Sequence, residues 1–227
     1  MLRIGLWLAI LMLASPAWGI YLSSGVFTLE SDRTFLSRQF VNNTKDTNLY
    51  VITAYRINKP GADEQPQPLE QGEILYTPLR KILEPDAWEY FKIFYRGPQD
   101  DRERYYRIAI QEIPANAMQM QGEGKTPLVS PTVALDTIMV VRPRKLRFTY
   151  HYDPQAGVLK NTGNTYFRVM IHQGCGGQDD AAKVFNLLPG ESYSGADLRG
   201  QNRKFIIGFS KYQRLGEQCF DQSLASG

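Results

Sequence analysis

Short apolar stretches rich in Val, Ile, Tyr, Phe and Thr alternate along this chain with clusters of Pro, Gly, Asn and Asp. That is the pattern of strands separated by turns. It predicts strands at Thr34–Val41, Leu49–Asn58, Trp88–Tyr95, Arg104–Glu112, Val133–Val141, Lys145–Tyr152, Phe167–His172 and Phe205–Phe209. No segment keeps a helical period long enough to compete, so the expected class is all-β, built of sandwiches or barrels. Along 128–141 the odd positions Val129, Pro131, Val133, Leu135, Thr137, Met139 and Val141 fall on one face at the period of a strand. Val129, Val133 and Leu135 are its apolar leading part. Two stretches, Gly61–Leu69 and Ala115–Pro127, read as long connections, the second lying directly before that strand.

A weak internal repeat divides the chain. Val41-Asn42-Asn43-Thr44 followed by Leu49-Tyr50-Val51-Ile52 is echoed by Leu159-Lys160-Asn161-Thr162 followed by Phe167-Arg168-Val169-Met170. Leu83-Glu84-Pro85-Asp86 is echoed in turn by Leu187-Leu188-Pro189-Gly190, each a Pro-led turn between strand patterns. Two copies of one sandwich account for this length better than one large domain. At the other end of the hydropathy pattern, Arg3, the apolar run Ile4–Leu13 and Ala17-Trp18-Gly19 have the form of a secretory leader. The run is too short to span a bilayer, which takes about 20 residues. The expected organisation is a leader over 1–19, cleaved before Ile20, a first domain over 20–143 and a second over 144–227. The junction falls near Arg142-Pro143-Arg144, where a proline interrupts strand pairing.

Charge and chemistry narrow the function by exclusion. With 26 basic against 23 acidic residues in 227, the chain lacks the concentrated positive surface that a nucleic-acid partner requires. Cys175 and Cys219 are an even pair in an exported chain and read as one disulfide; their spacing has no CxxC character. The two histidines, His151 and His172, sit in strand patterns without co-ligands at metal spacing. Gly190-Glu191-Ser192-Tyr193-Ser194 lacks the last glycine of a nucleophile elbow. Nothing marks a paired-carboxylate site, so no catalytic residue, metal or cofactor is expected, and the chain does not read as an enzyme.

The stretch Asp101-Arg102-Glu103-Arg104-Tyr105-Tyr106-Arg107-Ile108-Ala109-Ile110-Gln111-Glu112-Ile113-Pro114 resembles the signature of the Pap-type periplasmic pilus chaperones. There an Arg-Glu pair opens a strand that ends in Ile-Pro. Phe-Tyr-Arg-Gly-Pro at 94–98 and Asp136-Thr137-Ile138-Met139-Val140-Val141-Arg142-Pro143-Arg144 are similar to the alternative, or common-pilus, branch of that family. The resemblance runs from about Gly25 to Arg144 and is weaker beyond.

The resemblance implies two immunoglobulin-like sandwiches arranged as an L, or boomerang, that hold a fimbrial subunit 1:1 in the periplasm and deliver it to an outer-membrane usher. Val129, Val133 and Leu135 become the donor-strand residues, which complete the subunit's sheet by strand addition. Self-association through the same strand is the expectation for the free protein. Many family members anchor the subunit's terminal carboxylate with an Arg and a Lys; the matching positions here are Ser24 and Ile138, which cannot supply that bond. Arg104 and Arg107 are the nearby basic candidates, with solvated strand charges as their plainer reading. Glu103, Arg142 and Asp197 match the family's interdomain ion network. A secreted immunoglobulin-like adhesion or binding module is the rival reading.

Overall fold

Along Trp88–Tyr95 the side chains of Phe91, Ile93 and Tyr95 are buried while Tyr90, Lys92 and Phe94 are exposed, the period-two burial of a strand with one face on a core. The computed structural model describes residues 19–115, 133–209 and 211–220. Strands dominate these residues, and the chain divides into two compact units. The first takes residues up to Leu29, Arg33–Gly97 and Tyr105–Val140; the second takes Glu30–Asp32, Pro98–Arg104 and the chain from Val141 onward.

The first unit is a sandwich of two sheets. One has the order β1 (Gly19–Leu22), β3 (Phe35–Asn43), β8 (Trp88–Tyr95), β6 (Ile74–Thr77). The other has the order β2 (Val26–Leu29), β10 (Val133–Val141), β9 (Arg104–Pro114), β4 (Asn48–Ile57), β5 (Pro66–Gln67), with β7 (Arg80–Leu83) also paired to β4. Phe27, Phe40, Phe91, Tyr50, Tyr106, Ile108 and Ile110 fill the space between, each less than 2% exposed. The stretch Gly61–Leu69, expected as an irregular connection, contains β5, a two-residue pairing with the end of β4.

The second unit pairs a three-stranded sheet, β11 (Tyr150–Asp153), β12 (Val158–Asn161), β15 (Ser192–Ser194), with a four-stranded one. The latter runs β14 (Lys183–Leu187), β13 (Phe167–Ile171), β16 (Lys204–Gly208), β17 (Lys211–Arg214). Its core holds Leu159, Phe167, Val169, Ile171, Leu187, Leu198, Ile206 and Leu215. Leu198 enters from a single helical turn, α1 (Ala196–Arg199). The strand expected from Lys145 begins only at Tyr150. The cause is local: the Asn164 side chain accepts from Arg147 N at 2.7 Å and donates to Lys145 O at 2.9 Å. A carboxamide therefore satisfies backbone groups that a ladder would otherwise claim.

The sequence repeat is a repeat of hydrogen bonds. Asn42 and Asn161 are both fully buried. Asn42 Nδ2 donates to Leu83 O at 3.1 Å, and Asn161 Nδ2 donates to Leu187 O at 2.9 Å. The backbone follows suit: Asn42 N donates to Ala87 O and Asp86 N to Asn42 O, as Asn161 N does to Glu191 O and Gly190 N to Asn161 O. Even the turn conformation recurs, with Asp86 at φ 60° and Gly190 at φ 82°. Each unit thus uses one asparagine to tie the end of a strand to a Pro-led turn.

The C-terminal strap of the second unit is fastened twice. Cys175 and Cys219 form a disulfide, and the buried Lys204 Nζ donates to Gly200 O, Asn202 O and Gln218 Oε1. Burial pushes the Lys204 ammonium below its usual range.

Replacing Asn161 with alanine removes donors from two buried carbonyls, and each such loss costs about 1–3 kcal/mol. The expected result is a fall of about 3 kcal/mol in unfolding free energy, read by urea titration. Gly190→Ala meets no atom within 4 Å but must hold a left-handed φ, so its loss should be only about 1 kcal/mol. Replacing both cysteines with serine opens a loop whose ends are 44 residues apart, and should cost about 4 kcal/mol.

Candidate functional site

β10 lies between β2 and β9, and its burial changes along its length. Thr137 and Met139 are fully buried and Val141 nearly so. On the same face, two and four residues earlier, Leu135 is half-buried and Val133 is 47% exposed. The core-facing row therefore runs out of the covered core towards its N-terminal end. Thr137 Oγ1 donates to Ile108 O at 3.0 Å, which fixes the strand against β9 where the row becomes buried. β2 has four residues against nine in β10. Ile138 N donates to Gly25 O, Arg142 approaches Glu30, and Arg144 donates to Ser31 O. These contacts rise together along both segments, so the two run parallel, and the Val133–Thr137 half lies beyond the start of β2. Val129 falls outside the described residues.

The two basic candidates each hold a carboxylate of their own chain. Arg104, 8% exposed, donates to both oxygens of Asp100 at 2.6 and 2.7 Å. Those hydrogen bonds from the guanidinium hold the Asp100 carboxyl down at about 2. Arg107 makes a two-pronged pair with Glu64. Neither guanidinium is presented as an open carboxylate anchor.

Just after β10 in the chain, the structure brings together two of the three ion-network candidates. Arg142 Nη1 stands 3.6 Å from Glu103 Oε2, and the Glu103 side chain is 1% exposed. Glu103 is completed by Thr165 and Tyr166: the Thr165 hydroxyl donates to it at 2.5 Å and Tyr166 N at 3.0 Å. Arg142 also donates to Thr165 Oγ1, and its Nε is 3.6 Å from Glu30. The guanidinium lies between two rings, 4.8 Å from the centroid of Tyr166 and 4.8 Å from that of Phe209. Asp197 is engaged elsewhere, by Tyr193 and by Lys183 at 2.9 Å. Glu30, Glu103, Arg142, Thr165, Tyr166 and Phe209 all belong to the second unit.

Thr165 and Tyr166 follow the turn that the repeat had singled out, so their neighbourhood was visible in the sequence; Phe209 carried no such signal. His151 is exposed on β11, and His172 is buried with Nε2 2.7 Å from Asp179 Oδ1. Among the described residues no group of three or more His, Cys, Asp or Glu could hold a metal ion.

No family model matches the chain. Curated relatives do. One, "Probable fimbrial chaperone EcpE" of Escherichia coli (strain K12), is 34% identical over 213 residues, which is 93% of this chain and 90% of the relative. The chain belongs to this family of fimbrial chaperones. The fold of the chaperone agrees with that assignment. It matches the class 5 fimbriae chaperone CfaA with a TM-score of 0.56 at 15% identity, covering 87% of this chain and 97% of CfaA. It also matches a chain of the CsuC–CsuE chaperone–tip adhesion subunit complex from Acinetobacter baumannii, with a TM-score of 0.52 at 14% identity. That match covers 88% of this chain and 97% of the other.

For this chaperone, Arg142→Ala leaves Glu103 buried without its cation, and the expected loss is about 3–5 kcal/mol in unfolding free energy. Pairing Arg142→Met with Glu103→Gln should recover part of it. Asp197→Asn should add to Arg142→Ala within about 0.5 kcal/mol, as independent sites do. A larger coupling in a double-mutant cycle would tie Asp197 to the pair after all. On the acid side, the stability contributed by Asp100 is present above its ordinary value near 3.8 and is lost as pH falls towards about 2. Asp100→Asn should therefore flatten the stability profile below pH 4, measured by denaturant midpoints at stepped pH.

Proposed function

We propose that this chaperone captures fimbrial subunits in the periplasm by lending them the leading half of β10 as an extra strand, then passes them to an outer-membrane usher. One observation carries the reading: the apolar row of β10 leaves its own core at Leu135 and stands exposed at Val133. A strand that serves its own sheet alone would stop presenting apolar side chains where its core stops. Strand addition would satisfy the subunit's open edge through main-chain hydrogen bonds, while Val129, Val133 and Leu135 fill alternate positions in its groove. Burying each of these side chains fully is worth about 1.5–3 kcal/mol. One donated strand completes one subunit groove, so this reading expects a 1:1 complex.

In this reading capture does not depend on Arg104 or Arg107, whose charges are already paired with Asp100 and Glu64. Self-association of the free protein would use the same exposed row of β10. The leader over 1–19, its removal before Ile20, and domains over 20–143 and 144–227 complete the proposal.

The test is co-expression with the subunits encoded beside this chain. Subunit should accumulate in soluble form only alongside the wild-type chaperone, and Val133→Asp should lower recovery of the 1:1 complex at least tenfold. Normal complex formation by Val133→Asp would sink the donor-strand assignment. Subunit that is equally soluble without the chain would favour the adhesion-module reading instead.

A further inference from the structure

The turn between β16 and β17 is built against its own backbone preference. Gly208 pairs with Lys211, so the chain reverses tightly right after Gly208, and tight hairpin connections call for positive φ, usually supplied by Asn or Gly. Phe209 stands there at φ 53°, a conformation that costs a bulky L residue on the order of 1 kcal/mol. Core filling does not explain the choice, because the residue is 39% exposed. Its ring instead covers one face of the Arg142 guanidinium opposite Tyr166, both centroids lying at 4.8 Å. A second contact steadies it: Phe148 lies 5.7 Å from Phe209. Phe148 itself packs so closely over Gly208 that a Cβ there would come within 2.6 Å of its ring. Strain retained at an exposed aromatic residue points to a task beyond packing.

The task follows from what Arg142 does. It is the first residue after β10, and it is 8% exposed. Among the described residues its Nε has no hydrogen-bond partner, and its two carboxylate neighbours stand at 3.6 Å, outside hydrogen-bond range. Beside the Thr165 hydroxyl and the Glu103 carboxylate, the two ring faces are then what this desolvated cation packs against. We propose that Phe209 is a positioning residue for subunit capture, closing an aromatic clamp on Arg142 that pins the trailing end of β10 while its leading end is lent to the subunit. Without the clamp, a subunit pulling on Val133 and Leu135 would draw on a strand free to slip, and a shift of one residue would turn its apolar row to the other face. The proposal rests on the donor-strand reading above.

Three variants of the full chaperone decide it. Phe209→Asn suits the turn and removes the ring, so it should remain folded, with a thermal midpoint no more than a few degrees from wild type. It should nevertheless bind subunit roughly tenfold more weakly, and its amides at Val140–Arg142 should exchange with deuterium faster. Phe209→Tyr keeps a ring face and should restore both readouts. Val133→Asp in the same assay serves as the reference for donor-strand loss. If Val133→Asp abolishes capture while Phe209→Asn captures like wild type, the clamp is overturned and the donor strand stands. If Val133→Asp also captures normally, the donor-strand reading has failed, and the exchange measurement alone decides the clamp: unchanged protection at 140–142 refutes it, and faster exchange that Phe209→Tyr reverses upholds it.

Discussion

A carboxamide buried at the end of one strand carries the backbone of each half past the point where its ladder must break. At Asn42 and at Asn161 a strand ends, the next begins a few residues on, and a Pro-led turn packs against the gap. Carbonyls there are shut away from water and need donors. Asparagine meets the need because it is neutral, short and both donor and acceptor. Asp at either position would lose the Nδ2 donors that the buried carbonyls need, and Gln would overshoot by a methylene. With the turn so tied, Leu83 and Leu187 are driven into their cores at 4% exposure each, and the facing sheets keep their separation.

On this frame the burial of β10 changes along its length. Its trailing half is ordinary interior, with Thr137 and Met139 fully buried in the first unit. Its leading half has the same alternation and no comparable cover. The change occurs within one continuous strand, so any load on the exposed end is passed to the buried end through backbone that cannot stretch. Arg142, the first residue after that strand, is held by Glu103, Thr165, Tyr166 and Phe209.

Legibility in the sequence followed the range of each interaction. Trp88–Tyr95 and Val133–Val141 were readable to the residue, because alternation and flanking turn residues are local signals. Lys145–Tyr152 read as a strand from its composition, yet its first residues bond to the side chain of Asn164, some nineteen positions away at Lys145. The shortest strands, such as β1 and β6, have too few residues for a period to register. At the candidate site, Glu103 and Arg142 could be named through the family signature. Asp197 was named the same way, but here Lys183 and Tyr193 hold it. The Thr165 hydroxyl, next to the turn that the repeat marks, and the Phe209 ring took the remaining places around the pair, and the contact of Phe209 with a residue so distant in sequence leaves no pattern to read.

The order of strands in the first unit also sets a timetable. β2 ends at Leu29, and its sheet neighbour β10 begins about a hundred residues later. Closing a loop of that length is entropically costly and slow relative to the local hairpins that form between. A chain that folds from its N-terminus would therefore keep β2 waiting while β3 to β9 assemble. In that order the strand with the exposed apolar row would be the last to enter its own sheet, and until then the first unit would carry an open edge of its own.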